Sequence, residues 1–416
     1  MSAAGHARRS TAGFTLVELM VALTGGLFVS LAVFALARDS GRFYQREARI
    51  ANATIGGLLG FERLRADIAR AGYLSSPNIN RDPRQCGKPN AASWPQNLLN
   101  LASIQVSPSA IVNSAWTANG RTPPQLLLAG AYTSSDLFSA QVTAIGAQTV
   151  FQLQASQPAL LRLGGGANPT QAMMDGAFPA TRALRIVQYG RTYFGQITGA
   201  TGTPGLLTVT VGASPTIQSW DGNPCGLKLI GSNTLATINI VNFIHYDLRN
   251  LSSNAQTTQA KATYASLYSD SAAGPGEAQR TELVRIEQAA NGNAIVNTEE
   301  IVAEYAVDFD IQVNAVTSFT GVDPQVNTIA STDARFGTYT GPTFLAANMP
   351  DRIRSVRVRL GVRSREGDRD NTVANPTGNG LFRFLLGAGP GTVDAYARVR
   401  TFQADVALHN QADVLW

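Results

Sequence analysis

From Phe14 to Ala37 the chain runs for 24 residues with a single charge, Glu18. As a helix rising about 1.5 Å per residue the run measures roughly 36 Å, enough to cross a hydrocarbon core of about 30 Å. An apolar rod without a polar stripe has to be surrounded by lipid or by other apolar surface, and this limits the chain more than any other feature. Ahead of it, residues 1–13 (MSAAGHARRSTAG) are small and polar, carry Arg8 and Arg9, and contain no acid. Behind it stand Arg38 and Asp39, a weaker mixture, so the positive-inside rule predicts a cytoplasmic N-terminus.

An ordinary secretory signal would be cut after its apolar run; this run is too long for one and passes into a charged helical stretch. A twin-arginine signal would lose its apolar run, and Arg8-Arg9 is followed by Ser10-Thr11 instead of a bulky residue. A plain signal anchor has no use for Glu18, because an ionisable side chain in apolar surroundings costs free energy and points to a function. Gly13 followed by Phe14-Thr15-Leu16-Val17-Glu18-Leu19-Met20-Val21-Ala22-Leu23 resembles the class III signal of type IV prepilins and pseudopilins. The resemblance implies that a prepilin peptidase cuts on the cytoplasmic side between Gly13 and Phe14 and methylates the new terminus, so that the apolar helix stays on the protein. It also implies that Glu18 is the assembly carboxylate. Phe14 and Glu18 lie four apart on one helix face, and a buried carboxylate is tolerable only when paired. The family supplies that partner as the terminal amine of a neighbouring subunit, which sets axial register. A tolerated charge at the membrane edge is the competing reading of Glu18.

Beyond Ala37 the pattern becomes amphipathic without a break. Leu58, Phe61, Leu64, Ile68 and Ala71 recur at steps of three and four, and Glu62, Arg63, Arg65, Asp67 and Arg70 predict a solvated face between them. Gly72 is a stop signal, with Tyr73 beginning extended chain. A helix from Phe14 to Ala71 is expected, about 85–90 Å long, weakened at Gly41, Gly56, Gly57 and Gly60, where it would fray or bend. The run Arg65-Ala66-Asp67-Ile68-Ala69-Arg70-Ala71-Gly72-Tyr73 is similar to the PilW group of minor pilins, which carries such a run and then a cysteine. Here the cysteine is Cys86, later than usual, so an inserted loop is expected.

From Tyr73 onward Ser, Thr, Asn, Gln and Gly separate short apolar runs, which reads as strands and loops. Residues 74–125 look irregular. Strands are predicted around 124–130, 141–153, 183–197 and 206–212, more strongly over Ala236–Leu248, and over Tyr396–Leu408. The clearest alternation is Glu304–Val313, with Tyr305, Val307, Phe309, Ile311 and Val313 on one side and Asp308 and Asp310 on the other. Val356–Arg363 answers it with Arg357, Arg359 and Arg363 outward and a bulge near Ser355. The fold class expected is α+β and pilin-like: a long N-terminal helix, transmembrane then amphipathic, and a large antiparallel β-rich head. Its parts are a leader (1–13), a transmembrane or filament-core helix (14–37), an amphipathic stalk (38–72), a β-rich or irregular head region with an insertion as one reading (73–235), and an antiparallel head region (236–416).

The chemistry is bounded by what is scarce. Three histidines and two cysteines stand far apart, with no metal-binding spacing, no phosphate loop and no nucleophile elbow, so neither an enzyme, a metal nor a cofactor is expected. His245, on a strand with no nucleophile nearby, reads as a packing or surface residue. Leader processing would place the head where disulfides persist, so Cys86 and Cys225 are expected to pair, two buried thiols being the alternative. The acidic loop Glu366-Gly367-Asp368-Arg369-Asp370-Asn371 lacks the ligand spacing of a calcium loop. Nucleic acid is not expected as a partner: net charge is only +5, and Arg357 and Arg359 read as cross-strand partners of Asp308 and Asp310 rather than a phosphate track. The resemblance implies a minor pilin held in the inner membrane with a periplasmic head, then built into a surface pilus near its tip for motility or adhesion. The partners it implies are the prepilin peptidase, other minor and major pilins, the inner-membrane assembly platform and a PilY-type tip adhesin. A J-type pseudopilin of type II secretion shares the leader, stalk and β-rich head, and a DNA-uptake subunit is the third reading.

Overall fold

A computed structural model of the chain describes residues 13–109, 114–154, 156–164, 169–203, 206–229, 235–250, 280–320, 323–343, 345, 347–365, 381–388, 394–412 and 414. It divides into two compact units, Met1–Asn52 and Ala53–Trp416, and one helix, α1 (Leu16–Arg70), contributes to both. In the first unit, Leu16–Tyr44 is long and apolar enough to cross a membrane, with a mean hydropathy of 2.3, and its side chains are all exposed.

In the second unit α1 becomes part of a core. Phe61, Leu64, Ile68 and Ala71 are buried as the periodicity predicts, each of the three large ones stabilising by roughly 1.5–3 kcal/mol. Leu58 is not in the stripe; it stays half exposed. The stripe begins instead at Gly57, where an added Cβ would lie 2.7 Å from both the Phe402 ring and a Val362 methyl. Gly60 is tighter still, 2.2 Å from the Val302 carbonyl oxygen. These glycines let the helix approach the strands closely, and it continues unbroken to Arg70. Gly72 ends it in the left-handed region (φ 77°), with its N–H on the Ala129 carbonyl. Tyr73 lies in a turn and not in extended chain.

The head is antiparallel throughout its named strands and has two sheets. After a four-residue helix α2 (Gln96–Leu99) come β1 (Ile104–Pro108), the short α3 (Ser114–Ala118), β2 (Pro124–Gly130), β3 (Phe138–Ala144) and β4 (Thr149–Leu153). Helices α4 (Pro158–Gly164) and α5 (Gln171–Ala177) precede β5 (Ala183–Gln188), β6 (Arg191–Thr203), β7 (Leu206–Val211) and β8 (Ala236–Arg249). The expected strands 141–153 and 183–197 are each a hairpin. In the second, Tyr189 and Gly190 both take positive φ, as a two-residue primed turn demands.

Strand β8 is the hinge of the architecture. Its first half pairs with β3 on one side and β5 on the other, and the path β8-β3-β4-β7-β6-β5-β8 closes a six-stranded barrel. The barrel is filled by its own side chains, among them Phe138, Phe151, Ile186, Val209 and Ile238. Its second half is flanked by β2 and by β9 (Glu282–Gln288), which pairs β10 (Glu300–Ala303). Because both faces and both edges of β8 are occupied, nearly every residue in it is buried. Strands β8, β9 and β10 share a sheet with the strands that precede them.

The second sheet orders as β12-β11-β13-β15-β14, from β11 (Ala306–Thr320), β12 (Asp323–Ile329), β13 (Ile353–Arg363), β14 (Arg383–Ala388) and β15 (Asp394–Ala407), with a short helix α6 (Phe336–Thr340) after β12. Val307, Phe309, Ile311 and Val313 of β11 face the core as expected, and the β11–β13 register slips at Arg354, beside Ser355. Tyr305 does not continue the alternation; it turns with positive φ (53°). Arg363, expected outward, is wholly buried, because its guanidinium lies 5.0 Å over the Tyr305 ring and donates to the carbonyls of Ser364 and Arg365. The end of α1 shares one continuous core with both sheets.

Candidate assembly site

Gly13, Phe14 and Thr15 precede the helix in open chain, and Phe14 is 87% exposed. Glu18 lies in the first turn. Its Oε2 accepts from the Thr15 N–H and the Thr15 hydroxyl, both at 3.0 Å, while the Glu18 N–H donates back to Thr15 Oγ1 at 3.3 Å. This reciprocal pair is a capping box, and it satisfies amide groups that a helix start leaves open. The spacing Thr15-x-x-Glu18 carries that signature in the sequence, alongside the Phe14–Glu18 spacing. Further along, the Thr24 hydroxyl donates to the carbonyls of Met20 and Val21, so it is satisfied within the helix, as hydrocarbon requires.

The second cluster locks the helix end to the head. Asp67, expected on a solvated face, is buried. Its Oδ2 accepts from Tyr246 Oη of β8 (2.8 Å) and from Arg285 Nε of β9 (2.7 Å), and its carbonyl accepts from Tyr132 Oη (2.9 Å). Burial, and after it the Asp67 carboxylate, hold the Tyr246 and Tyr132 hydroxyls well above the usual phenol range, so both stay protonated donors. Arg70 lies over the Tyr132 ring and donates to the Ala131 carbonyl at 2.9 Å, and Asn410 donates to the Ala71 carbonyl at 3.0 Å. The run from Arg65 to Tyr73 thus supplies a helix end, two buried apolar residues and a buried carboxylate, each with a partner far away in the chain.

The arginine face is committed internally. Arg357 makes two bonds to Asp405 (2.9 and 3.0 Å), not to Asp308 or Asp310. Arg359 takes Asp308 at 2.8 Å and approaches Asp310 at 3.6 Å. Cys86 and Cys225 are joined as a disulfide, with Cα atoms 5.1 Å apart. It ties the segment before α2 to the barrel, where Cys86 N–H also bonds the Thr192 carbonyl. His245 is buried, with Nε2 3.4 Å from Gln125 Oε1 and no nucleophile beside it; burial holds its pKa below the usual imidazole value. No group of metal-ligating side chains occurs among the described residues, and the loop from Glu366 to Asn371 lies outside them, as does the leader before Gly13. Comparison with protein-family models, with curated proteins and with solved structures gives no match for this chain.

Proposed function

We propose that the chain is a minor pilin of the PilW kind, stored in the inner membrane with its head in the periplasm and then drawn into a type IV pilus near the tip. One observation carries the reading: a cleavage-type leader stands directly before a single helix that begins as an exposed apolar span and ends inside the core of a large β-rich head. Cutting between Gly13 and Phe14 would free an α-amine next to the capping box. Both Thr15 bonds fall on Glu18 Oε2, which leaves Oε1 for the amine of a neighbouring subunit. The apolar span then exchanges lipid for the helices of sister subunits, at little change in apolar burial, while the Glu18–amine pair selects the axial position.

The size of the head favours a tip or initiating position over a bulk subunit repeated along a filament. The Cys86–Cys225 disulfide accords with an oxidising compartment. The partners proposed are the prepilin peptidase, the other pilins, the assembly platform and a PilY-type adhesin; the protein has no catalytic role. Changing Glu18 to Ala in the native host tests the reading. Surface pili should fall sharply, and the protein should no longer co-purify with sheared filaments while staying in the membrane. Normal piliation and co-purification would remove Glu18 from assembly.

A further inference from the structure

The β5–β6 hairpin turns through Tyr189 and Gly190, between the paired residues Gln188 and Arg191. Such a primed turn favours Asn or Gly at its first position, because both central residues must take positive φ. Here that position holds tyrosine, at φ 51°, where a bulky side chain is an outlier. The ring is not spent on the core, since Tyr189 is 53% exposed. Trp220 stands beside it, 38% exposed, with ring centroids 6.2 Å apart and planes inclined at 49°. The Lys228 ammonium lies 5.1 Å from the Tyr189 ring centre and 4.8 Å from that of Trp220. Its Nζ makes no ion pair or hydrogen bond with any described residue. The acid of this loop, Asp221, accepts instead from the Ser219 hydroxyl at 2.8 Å.

The three side chains stand on a fixed frame. Lys228 N–H donates to Gln188 Oε1 at 2.8 Å, and the Lys228 carbonyl accepts from Gln188 Nε2 at 3.3 Å, which fastens the loop to the foot of the hairpin turn. Trp220 N–H donates to the Leu227 carbonyl (2.9 Å) and Leu227 N–H to the Gln218 carbonyl (2.8 Å), while Cys225 between them is tied to Cys86. Two exposed aromatic rings and an uncommitted cation are thus held together in advance, and a ligand has little left to order.

We propose that this platform binds the pyranose ring of a uronic acid in an acidic polysaccharide. Pyranose C–H groups, which carry partial positive charge, stack on the electron-rich faces of Tyr189 and Trp220, and the uronate carboxylate takes the Lys228 ammonium. Both halves of the ligand are needed. A neutral sugar leaves the cation without its anion, and an acidic peptide leaves the rings without a flat C–H surface. The chemistry is independent of any role in a pilus.

The test uses the full-length chain in nanodiscs of neutral lipid and tetragalacturonate as the probe, followed by ligand-observed saturation-transfer NMR with empty nanodiscs subtracted. Saturable binding is expected, with the neutral galactotetraose and with tetraglutamate each weaker by roughly threefold to tenfold. Tyr189→Asn gives the turn a residue its backbone favours, so the melting temperature should hold or rise while tetragalacturonate weakens by about threefold to tenfold. Lys228→Gln should bring tetragalacturonate down to the level of galactotetraose and leave galactotetraose itself unchanged. Melting curves of both variants report whether the head is intact, and the comparison of the three probes needs no variant. The proposal is overturned by absence of saturable binding up to about 10 mM, by galactotetraose or tetraglutamate binding as tightly as tetragalacturonate, or by intact variants that bind as the parent does.

Discussion

Asp67 is where the head grips its helix, since one carboxylate oxygen serves both Tyr246 and Arg285. Removing one partner of a buried pair leaves the other charge uncompensated, so Asp67→Ala is expected to destabilise the head by about 3–5 kcal/mol. Tyr246→Phe, which removes one donor to a charged acceptor, should lower stability by about 1.5–3 kcal/mol. Urea unfolding of the full-length chain in detergent measures both, and a loss below about 1 kcal/mol for Asp67→Ala would mean the pair is dispensable. His245 supplies a pH test. Its folded pKa lies below the usual value, chiefly from burial, so the unfolded chain binds the proton first. Stability is then full above about pH 6.5 and declines as the pH falls through that value toward the folded pKa. Melting temperatures of the parent should drop over that range more steeply than those of His245→Gln; parallel curves would contradict it. These residue roles were only half legible. Asp67 sits among charges in the sequence and reads as solvated, because the partners of its carboxylate, Tyr246 and Arg285, are more than 170 residues away and nothing local marks them.

Elements were easier to read than their connections. Alternation marks β11 and β13, and the apolar run marks β8, because burial of one or both faces writes itself into neighbouring residues. Barrel closure leaves no such trace: it depends on which strands β8 meets, and β3 lies about a hundred residues before it. The glycines of α1 show the same limit. Gly56 and Gly60 look alike as helix weakeners, yet Gly56 has open space around its Cα while Gly60 lies against the Val302 carbonyl. Gly56→Ala should therefore stabilise the head by roughly 0.5–1 kcal/mol, and Gly60→Ala should destabilise it by about 1–3 kcal/mol through forced separation of helix and strand. The pair measured side by side in urea distinguishes close approach from helix propensity, since propensity alone would make both changes favourable.

At the scale of the whole molecule the two units answer to different solvents. Leu16–Tyr44 presents apolar surface suited to lipid or to other helices, whereas the head buries its own core and fastens the segment around Cys86 to the barrel through Cys225. Closing a loop of 139 residues limits the unfolded chain, so replacing both cysteines with serine should cost about 2–5 kcal/mol in urea unfolding, and a reductant should reproduce that loss in the parent. The apolar half of the helix was the most legible part of the chain, because a long run with a single charge needs no tertiary partner to be recognised. In the head's region before β8 the strands and hairpins were legible and their closure was not, because β3, β4 and β5 complete the barrel through pairings across long stretches of chain. What unites the two units is the claim that a cut at Gly13 leaves the apolar helix attached to the head. Sequencing the N-terminus of the protein recovered from native membranes tests it most directly. The expected first residue is an N-methylated Phe14; a chain that starts beyond Ala37, or one that still carries its first thirteen residues, would contradict the account.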